Sequence, residues 1–234
     1  MFEPKKYFTT ARREYIESPL NELGFKKYKT AFIGRMTNDN VFQFLDFQKS
    51  AYGGEQFTLH VTIRPMYCPH EDYLTLLPGN RLGSMATNGK KDKWWNYSTE
   101  EEANSSFVEI YNLLTKYAIP FFNSTMTSND IIKSYEKNIF GVNKFGNKVE
   151  WGTIGWRNYD LGHIYLKAGD NKKAIKQFDL CYKEFIKDDR DWAQSAAKEC
   201  MDIKTIINSG QMSIDKYLDD TIKASKQNLK LTEW

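Results

Sequence analysis

The chain has 234 residues, of which 41% are hydrophobic, 15% aromatic and 27% charged, a composition typical of folded globular proteins and not of disordered ones. Its 33 Lys and Arg residues against 30 Asp and Glu leave a net charge of only +3 without a basic block, which does not favour a dedicated nucleic-acid-binding protein. The first residues contain no apolar run, so we predict no signal peptide, no membrane contact and a cytoplasmic protein. The three cysteines are odd in number and two lie on apolar helix faces, so we predict that they are reduced.

The chain begins with apolar residues at helical spacing. They predict a helix over about residues 5–23 that is interrupted near Pro19 and ends at Gly24. Residues 25–35 are compatible with a strand, and the Thr/Asn/Asp cluster at 37–40 predicts a turn.

Two longer strands are then predicted. Residues 41–50 carry apolar side chains on both faces, which predicts a central strand covered on each side. Residues 57–65 alternate, with Phe57, Leu59, Val61 and Ile63 predicted inward and Thr58, His60, Thr62 and Arg64 predicted outward. The first half therefore predicts a helix followed by an antiparallel meander of about three strands.

Residues 66–97 are irregular in pattern and include the pair Trp94-Trp95. Neighbours on a strand point to opposite faces, so we predict that one Trp is in the core and that the other is available as a partner-binding anchor. Thr99 and Glu102 have the spacing of a capping box, and the helix that they begin is predicted to run to Pro120.

Short motifs in this half resemble a bacterial family known only as domain of unknown function 4304. They are Gly24-Phe25-Lys26-Lys27, Phe47-Gln48-Lys49-Ser50, Phe57-Thr58, Arg81-Leu82-Gly83 and Asp92-Lys93-Trp94-Trp95. The resemblance covers about residues 5–122 and implies an α+β domain without an established activity. Some small bacterial domains of this type lie beside toxin genes as immunity proteins, so the resemblance also implies an immunity role as one possibility.

The candidate chemistry is sparse. Asp46, Gln48, His60 and Arg64 form a candidate polar site in which Asp46 and His60 would transfer protons and Arg64 would bind an anion. The alternative is that His60 is simply an outward strand residue. Cys68 and His70 are metal-ligand types, but other ligands lie far away in sequence, and a partly buried cysteine in a surface loop is the favoured interpretation. Nucleotide-binding glycine patterns are absent, so no cofactor is predicted. No metal is predicted either, because Cys68 and His70 lack further ligands nearby in the sequence.

Residues 161–185 contain two helical periodicities that are joined by one loop. Gly169 is the residue type that usually follows a helix end, and Asp170 or Asn171 is suited to cap the next helix. The small residues Gly162 and Ala174 would let the two helices approach closely. This stretch therefore predicts an antiparallel helix hairpin.

The hairpin resembles a tetratricopeptide repeat at Leu161, Gly162, Tyr165, Ala174 and Phe178. One repeat cannot bury its own face, and about three are normally needed. One repeat length further, Trp192 and Ala196 fit the pattern and Glu199 does not, so the second repeat is partial. The resemblance implies a protein-recognition segment over about residues 129–228.

In this repeat family the first helix lines a concave, peptide-contacting face. The resemblance therefore implies a partner-binding stripe made of Trp156, Tyr159, His163 and Leu166. The alternative, slightly favoured, is that the first domain covers the stripe, because an unpaired hairpin must bury its faces.

We thus predict an α+β domain over residues 1–124 and an all-α domain over residues 129–234, joined near Asn123 to Asn129. The leading hypothesis is a noncatalytic interaction factor that binds a protein or peptide, of the bacterial immunity or adaptor type. The competing hypothesis is a hydrolase or nuclease-like enzyme that uses the polar face of the sheet. A third and less favoured hypothesis is nucleic-acid binding, because Trp94-Trp95 lies beside lysines as in proteins that bind single strands.

Overall fold

The computed structural model of the protein describes residues 3–69, 78–87, 89, 91–137 and 153–234. It contains an N-terminal helix, an antiparallel sheet and a series of helices after the sheet, which confirms the predicted α+β class. No helix in the described ranges has both the length and the apolar character that a membrane crossing requires.

The first helix is divided by a π-helical turn. Helix α1 spans Glu3–Arg12, the π turn spans Arg13–Glu17, and α2 spans Ser18–Asn21. Pro19 accounts for this irregularity, because a proline ring clashes with the carbonyl four residues earlier and that carbonyl lies in the widened π turn.

Within the described ranges, the sheet consists of six antiparallel strands. They are β1 (Lys26–Lys29), β2 (Phe32–Met36), β3 (Val41–Lys49), β4 (Gln56–Pro65), β5 (Gly79–Arg81) and β6 (Trp95–Asn96). The first five lie in chain order, and β6 also pairs with β4. The single strand predicted over residues 25–35 is wrong, because a tight turn at residues 30–31 folds it into the β1–β2 hairpin.

Aromatic side chains cover the inner face of the sheet. Phe57 of β4 stacks on Phe107 at a centroid distance of 5.1 Å, and Phe8 of α1 meets the Phe57 ring edge-on at 4.9 Å. Burial of such rings stabilises the fold, and their offset geometry adds to it. The amphipathic N-terminal helix is thereby fixed across β3 and β4.

The C-terminal end of the chain covers much of the outer face. Phe42 and Phe44 of β3 pack there with Leu229 and Leu231, and the Phe42 ring lies 5.5 Å from that of Trp234. This confirms that β3 is covered on both sides. It corrects the prediction that the polar side of β4 faces solvent, because Thr58, Thr62 and Arg64 on that side are buried.

Helix α3 spans Leu82–Ala86, and α4 (Glu100–Leu113) begins at the predicted capping box. Glu102 N–H donates to Thr99 Oγ1 at 3.1 Å, and Ser98 N–H donates to Glu102 Oε2 at 3.1 Å. The helix does not stop at Pro120 as predicted. A second π turn, Leu114–Ala118, accommodates that proline, and α5 continues over Ile119–Asn123.

In the described residues, five helices follow: α6 (Ser128–Glu136), α7 (Ile154–Lys167), α8 (Asn171–Phe185), α9 (Asp191–Asn208) and α10 (Gln211–Leu229). Helices α7 and α8 form the predicted hairpin. Gly169 adopts φ +79° at the loop, and the Asp170 carboxylate accepts from Lys173 N–H at 3.0 Å to cap α8. After Asp130, the described residues contain helices and no strand.

One hydrophobic core runs through both halves of the chain, from Phe8 to Leu218. Side-chain contacts also join the halves. The Cys68 thiol donates to the Asp160 carbonyl at 3.7 Å, and Lys167 Nζ lies 3.8 Å from Asp39 Oδ1. The C-terminal helices therefore pack on the α+β part in the described ranges.

Candidate functional site

The predicted binding stripe on α7 lies mostly inside the protein. Tyr159, His163 and Leu166 are 1%, 0% and 2% exposed, and only Trp156 remains partly accessible. His163 Nδ1 lies 2.9 Å from the Tyr159 carbonyl oxygen, and His163 Nε2 lies 2.9 Å from the Tyr217 hydroxyl of α10. In this conformation, other parts of the chain therefore cover the face of α7 at which a peptide was predicted to bind.

Exposed apolar residues gather instead where three helix ends meet. Ile154 at the start of α7 is 58% exposed, Ile186 after α8 is 43% exposed and Trp192 on α9 is 41% exposed. Trp156 joins them, because its ring stacks on that of Trp192 at 5.8 Å with an interplanar angle of 22°. We call Ile154, Trp156, Ile186 and Trp192 the helix-end patch.

The patch rests on a rigid base. The Phe185 ring lies 5.1 Å from that of Trp156 and 5.5 Å from that of Trp192, so aromatic rings from three helices touch one another. Gly155 makes this possible, because a Cβ built there would lie 2.5 Å from Phe185 Cε1. Arg190 holds its guanidinium 4.6 Å from the centre of the Trp192 ring.

A second candidate lies on the outer face of the sheet, beyond the part that the C-terminal segment covers. Asp46 of β3 pairs in register with His60 of β4, and Gln48 and Arg81 lie beside them. Arg81 Nε is 3.3 Å from His60 Nε2, Arg81 Nη2 donates to Gln48 Oε1 at 3.3 Å, and Arg81 Nη1 pairs with Asp92. We call Asp46, Gln48, His60, Arg81 and Asp92 the outer-face cluster.

Burial brings the pKa values of Asp46 and His60, the two proton-transfer candidates of this cluster, closer together. It raises the pKa of Asp46 to about 6. Burial also lowers the pKa of His60, the Arg81 cation lowers it further, and Asp92 partly opposes these effects. Gln48 Oε1 also lies 2.9 Å from His60 Nε2, so this nitrogen has two proton arrangements: it donates to Gln48, or it accepts from Arg81.

Arg64 does not join the cluster. It lies on the same face of β4 as His60 but four residues further along the strand, about 13 Å away, and it is fully buried. Arg81 takes the place beside His60, because β5 pairs with β4 at His60. The sequence pattern of β4 gave no indication of this, since β5 is three residues long and follows residues without a regular sequence pattern.

The Trp pair divides between core and surface. Trp95 is 2% exposed, and its indole N–H donates to Glu109 Oε2 at 3.1 Å. Trp94 is half-buried and lies beside the outer-face cluster, with the Arg81 guanidinium 5.4 Å from its ring centre. Trp94 therefore forms a wall of the cluster.

The three cysteines are unpaired thiols and are fully buried. The prediction that Cys68 is only partly buried is wrong, because α7 covers its loop, and burial raises the pKa of its thiol well above the ordinary value. His70 lies outside the described residues. Across the described ranges, no group of three or more His, Cys, Asp or Glu side chains is placed to hold a metal ion.

Comparison with known proteins gives a match to a family model. No curated protein and no solved structure matches the chain. Residues 16–124 match the family described as Domain of unknown function (DUF4304), which confirms the resemblance predicted for the first half. The part of the chain from the first π turn to the end of α5, including the sheet and its outer-face cluster, is thus similar to that family.

Proposed function

We propose that this protein is a noncatalytic protein-interaction factor of the immunity or adaptor type, and that it contacts its partner through the helix-end patch. The observation that carries the proposal is the Trp156–Trp192 stack, which is accessible to solvent and flanked by exposed Ile154 and Ile186. Exposed aromatic and aliphatic side chains grouped at one end of a set of helices are typical of binding surfaces.

The composition of the patch supports this function. Trp and Arg are the residue types most enriched among those that dominate binding energy, and Trp192 lies under Arg190. The rings are held by Phe185 and lose little conformational freedom on binding, so more of the contact energy remains as affinity. The tetratricopeptide-like spacing of α7 and α8 also supports a recognition role for these helices.

The test is an affinity capture from the native cell with quantitative mass spectrometry. Ile154→Lys and Trp192→Ala change exposed side chains and should leave the fold intact. We expect both to lose the captured partner by about tenfold or more, because hot-spot truncations cost about 2 kcal/mol or more.

Met212→Lys is the matched control, because Met212 is 85% exposed, apolar and on α10, outside the patch. This variant should recover the same partner as the original protein. Equal recovery of every partner by the patch variants and the control variant would contradict the proposal.

A second candidate function is a hydrolase or nuclease-like enzyme that uses the outer-face cluster. The observation that favours it is that burial brings the pKa of Asp46 up to about 6 while it lowers that of the neighbouring His60. Carboxyl and imidazole groups with pKa values shifted in this way are suited to exchange protons near neutral pH.

The enzyme candidate is tested with p-nitrophenyl acetate and bis(p-nitrophenyl) phosphate as model substrates. Hydrolysis that disappears in both Asp46→Asn and His60→Gln, and persists in Asp220→Asn on the exposed surface of α10, would favour this second function. Hydrolysis no faster than the uncatalysed reaction, both in the original protein and in the three variants, would exclude an enzyme that acts on these ester classes.

A further inference from the structure

A pocket of about 350 Å³ opens between the β2–β3 turn, the residues after α2, and the link between α5 and α6. It lies where the α+β part meets the C-terminal helices, a position at which ligand sites often occur. This volume lies near the lower end of the range of about 300–1,000 Å³ that is typical of small-molecule sites.

The pocket contains a cation whose partners are all neutral. Arg35 Nε donates to Gln43 Oε1 at 2.8 Å, and Nη1 donates to the Leu23 carbonyl at 2.9 Å. Nη2 lies 3.4 Å from Asn123 Oδ1 and 3.6 Å from Met126 Sδ. In the described ranges, no carboxylate lies within ion-pair distance of Arg35, although partial burial removes solvent from its charge and lowers its pKa.

Neighbouring groups hold this guanidinium in a fixed orientation. Gln43 is fully buried, and its amide N–H donates to the Phe122 carbonyl at 2.6 Å, which turns its oxygen towards Arg35. The Phe25 ring supports the other side, 4.7 Å from the guanidinium carbon. At least one N–H of Nη1 remains for a ligand, because the guanidinium has five donors.

The carboxylate of Asp39, which lines the pocket, is already engaged. Asp39 Oδ2 accepts from Ser128 N–H at 2.6 Å, and Asp39 Oδ1 lies 3.8 Å from Lys167 Nζ. Its charge is therefore balanced from the side of the C-terminal helices. Arg35 is left as the charge that an entering anion would meet.

Part of the remaining lining suits an apolar body. Leu23, Met36 and Met126 form this part, and Leu23 is 45% exposed, while Thr37, Asn38 and Thr127 give the lining a polar part. Thioether side chains adapt their shape to different ligands, because they are unbranched and polarisable. The combination is one fixed cation beside an adaptable apolar wall.

We propose that this pocket binds a small carboxylate-bearing molecule, with its carboxylate on Arg35 and a short apolar body on Met36, Met126 and Leu23. A carboxylate matches the planar fork of a guanidinium and supplies the negative partner that Arg35 lacks. This inference is independent of the proposed protein-interaction function, because the pocket and the helix-end patch share no residue.

The experiment uses the full chain labelled with ¹³C at its methionine methyl groups and follows them by NMR during titration with 3-phenylpropionate. The uncharged 3-phenylpropionamide has nearly the same shape and serves as the ligand control. We expect saturable shifts of the Met36 and Met126 signals with the acid, and binding of the amide that is about tenfold weaker or more.

Two variants test the role of Arg35. Arg35→Gln removes the charge but also disturbs the Leu23 contact, so its fold is checked by thermal unfolding. Met126→Glu keeps Arg35 and places a carboxylate beside it, which should occupy the cation from within the chain. Both should weaken 3-phenylpropionate by about tenfold or more, and Lys133→Gln, on the exposed face of α6, should not.

The following outcomes would overturn the proposal. Equal binding of the acid and the amide would show that Arg35 is not the anchor, and so would unchanged affinity in Met126→Glu. Inorganic phosphate that displaces the acid at equal concentration would assign the site to phosphate instead. Methionine signals that do not respond up to about 10 mM acid would exclude a site for this ligand class.

Discussion

Gly162 of α7 lies directly against the ring of Phe178 of α8. A Cβ built on Gly162 would be 2.5 Å from Phe178 Cε1, well inside van der Waals contact. Phe178 is fully buried, so its ring has no space into which to move. The close packing of the hairpin therefore depends on the absence of a side chain at residue 162.

Gly162→Ala should destabilise the protein by about 1–3 kcal/mol, because overpacking outweighs the better helix propensity of alanine. Urea unfolding measures this loss. Gly155→Ala is the matched comparison: it creates the same 2.5 Å contact with Phe185, which is 6% exposed beneath the helix-end patch whereas Phe178 is 0% exposed, and it should therefore cost less. A loss of stability in Gly155→Ala that equals or exceeds the loss in Gly162→Ala would contradict this account.

Asp46→Asn should stabilise the protein above pH 6. The folded-state pKa of about 6 exceeds the ordinary 3.8, so the folded protein binds this proton more tightly than the unfolded chain. The contribution of Asp46 to stability is therefore full below about pH 4 and is lost as the pH rises through 6. The loss is up to about 3 kcal/mol.

Urea unfolding at pH 4.5 and pH 8 checks this prediction. The free energy of unfolding of Asp46→Asn should exceed that of the original protein mainly at pH 8. Asp220→Asn, in an exposed ion pair on α10, serves as the control and should change stability little at either pH. A constant difference between the Asp46 variant and the original protein at both pH values would argue against a raised pKa.

Arg81→Met should raise the pKa of His60, and Asp92→Asn should lower it. Burial is the main cause of the depressed pKa of His60, the Arg81 cation adds to it, and the Asp92 carboxylate acts in the opposite direction. NMR titration of the imidazole signals measures both changes. The buried His163 provides the internal reference, and a shift of His60 in the same direction in both variants would refute the arrangement.

Leu231→Ala should destabilise the protein by about 2–4 kcal/mol, although Leu231 lies beyond the last helix. Its side chain is fully buried with Phe42 and Phe44 on the outer face of the sheet. Urea unfolding measures the loss, and Thr232→Ala, at an exposed neighbouring position, should change stability by less than about 0.5 kcal/mol. Similar stability of the two variants would mean that the C-terminal segment does not cover the sheet.

Local features of the amino-acid order were sufficient for many elements. The Thr99–Glu102 cap, the Gly169–Asp170 loop and the alternation along residues 57–65 each depend on residues only a few positions apart. The bonds that define them form within a single turn or strand, so these elements were predicted correctly together with the α+β class. The π turns were missed, because only the interruption at a proline is visible in the pattern.

Contacts between distant residues decided which faces stay open. Tyr28 donates a hydrogen bond to the carbonyl of Leu229, which is 201 positions further along the chain. Leu229 also belongs to the C-terminal residues that cover Phe42. The burial of His163 against Tyr217 and the arrival of Arg81 beside His60 arise in the same way. Periodicity identifies an apolar or polar face, but what covers that face depends on how all the elements pack together, which no short stretch of the chain encodes.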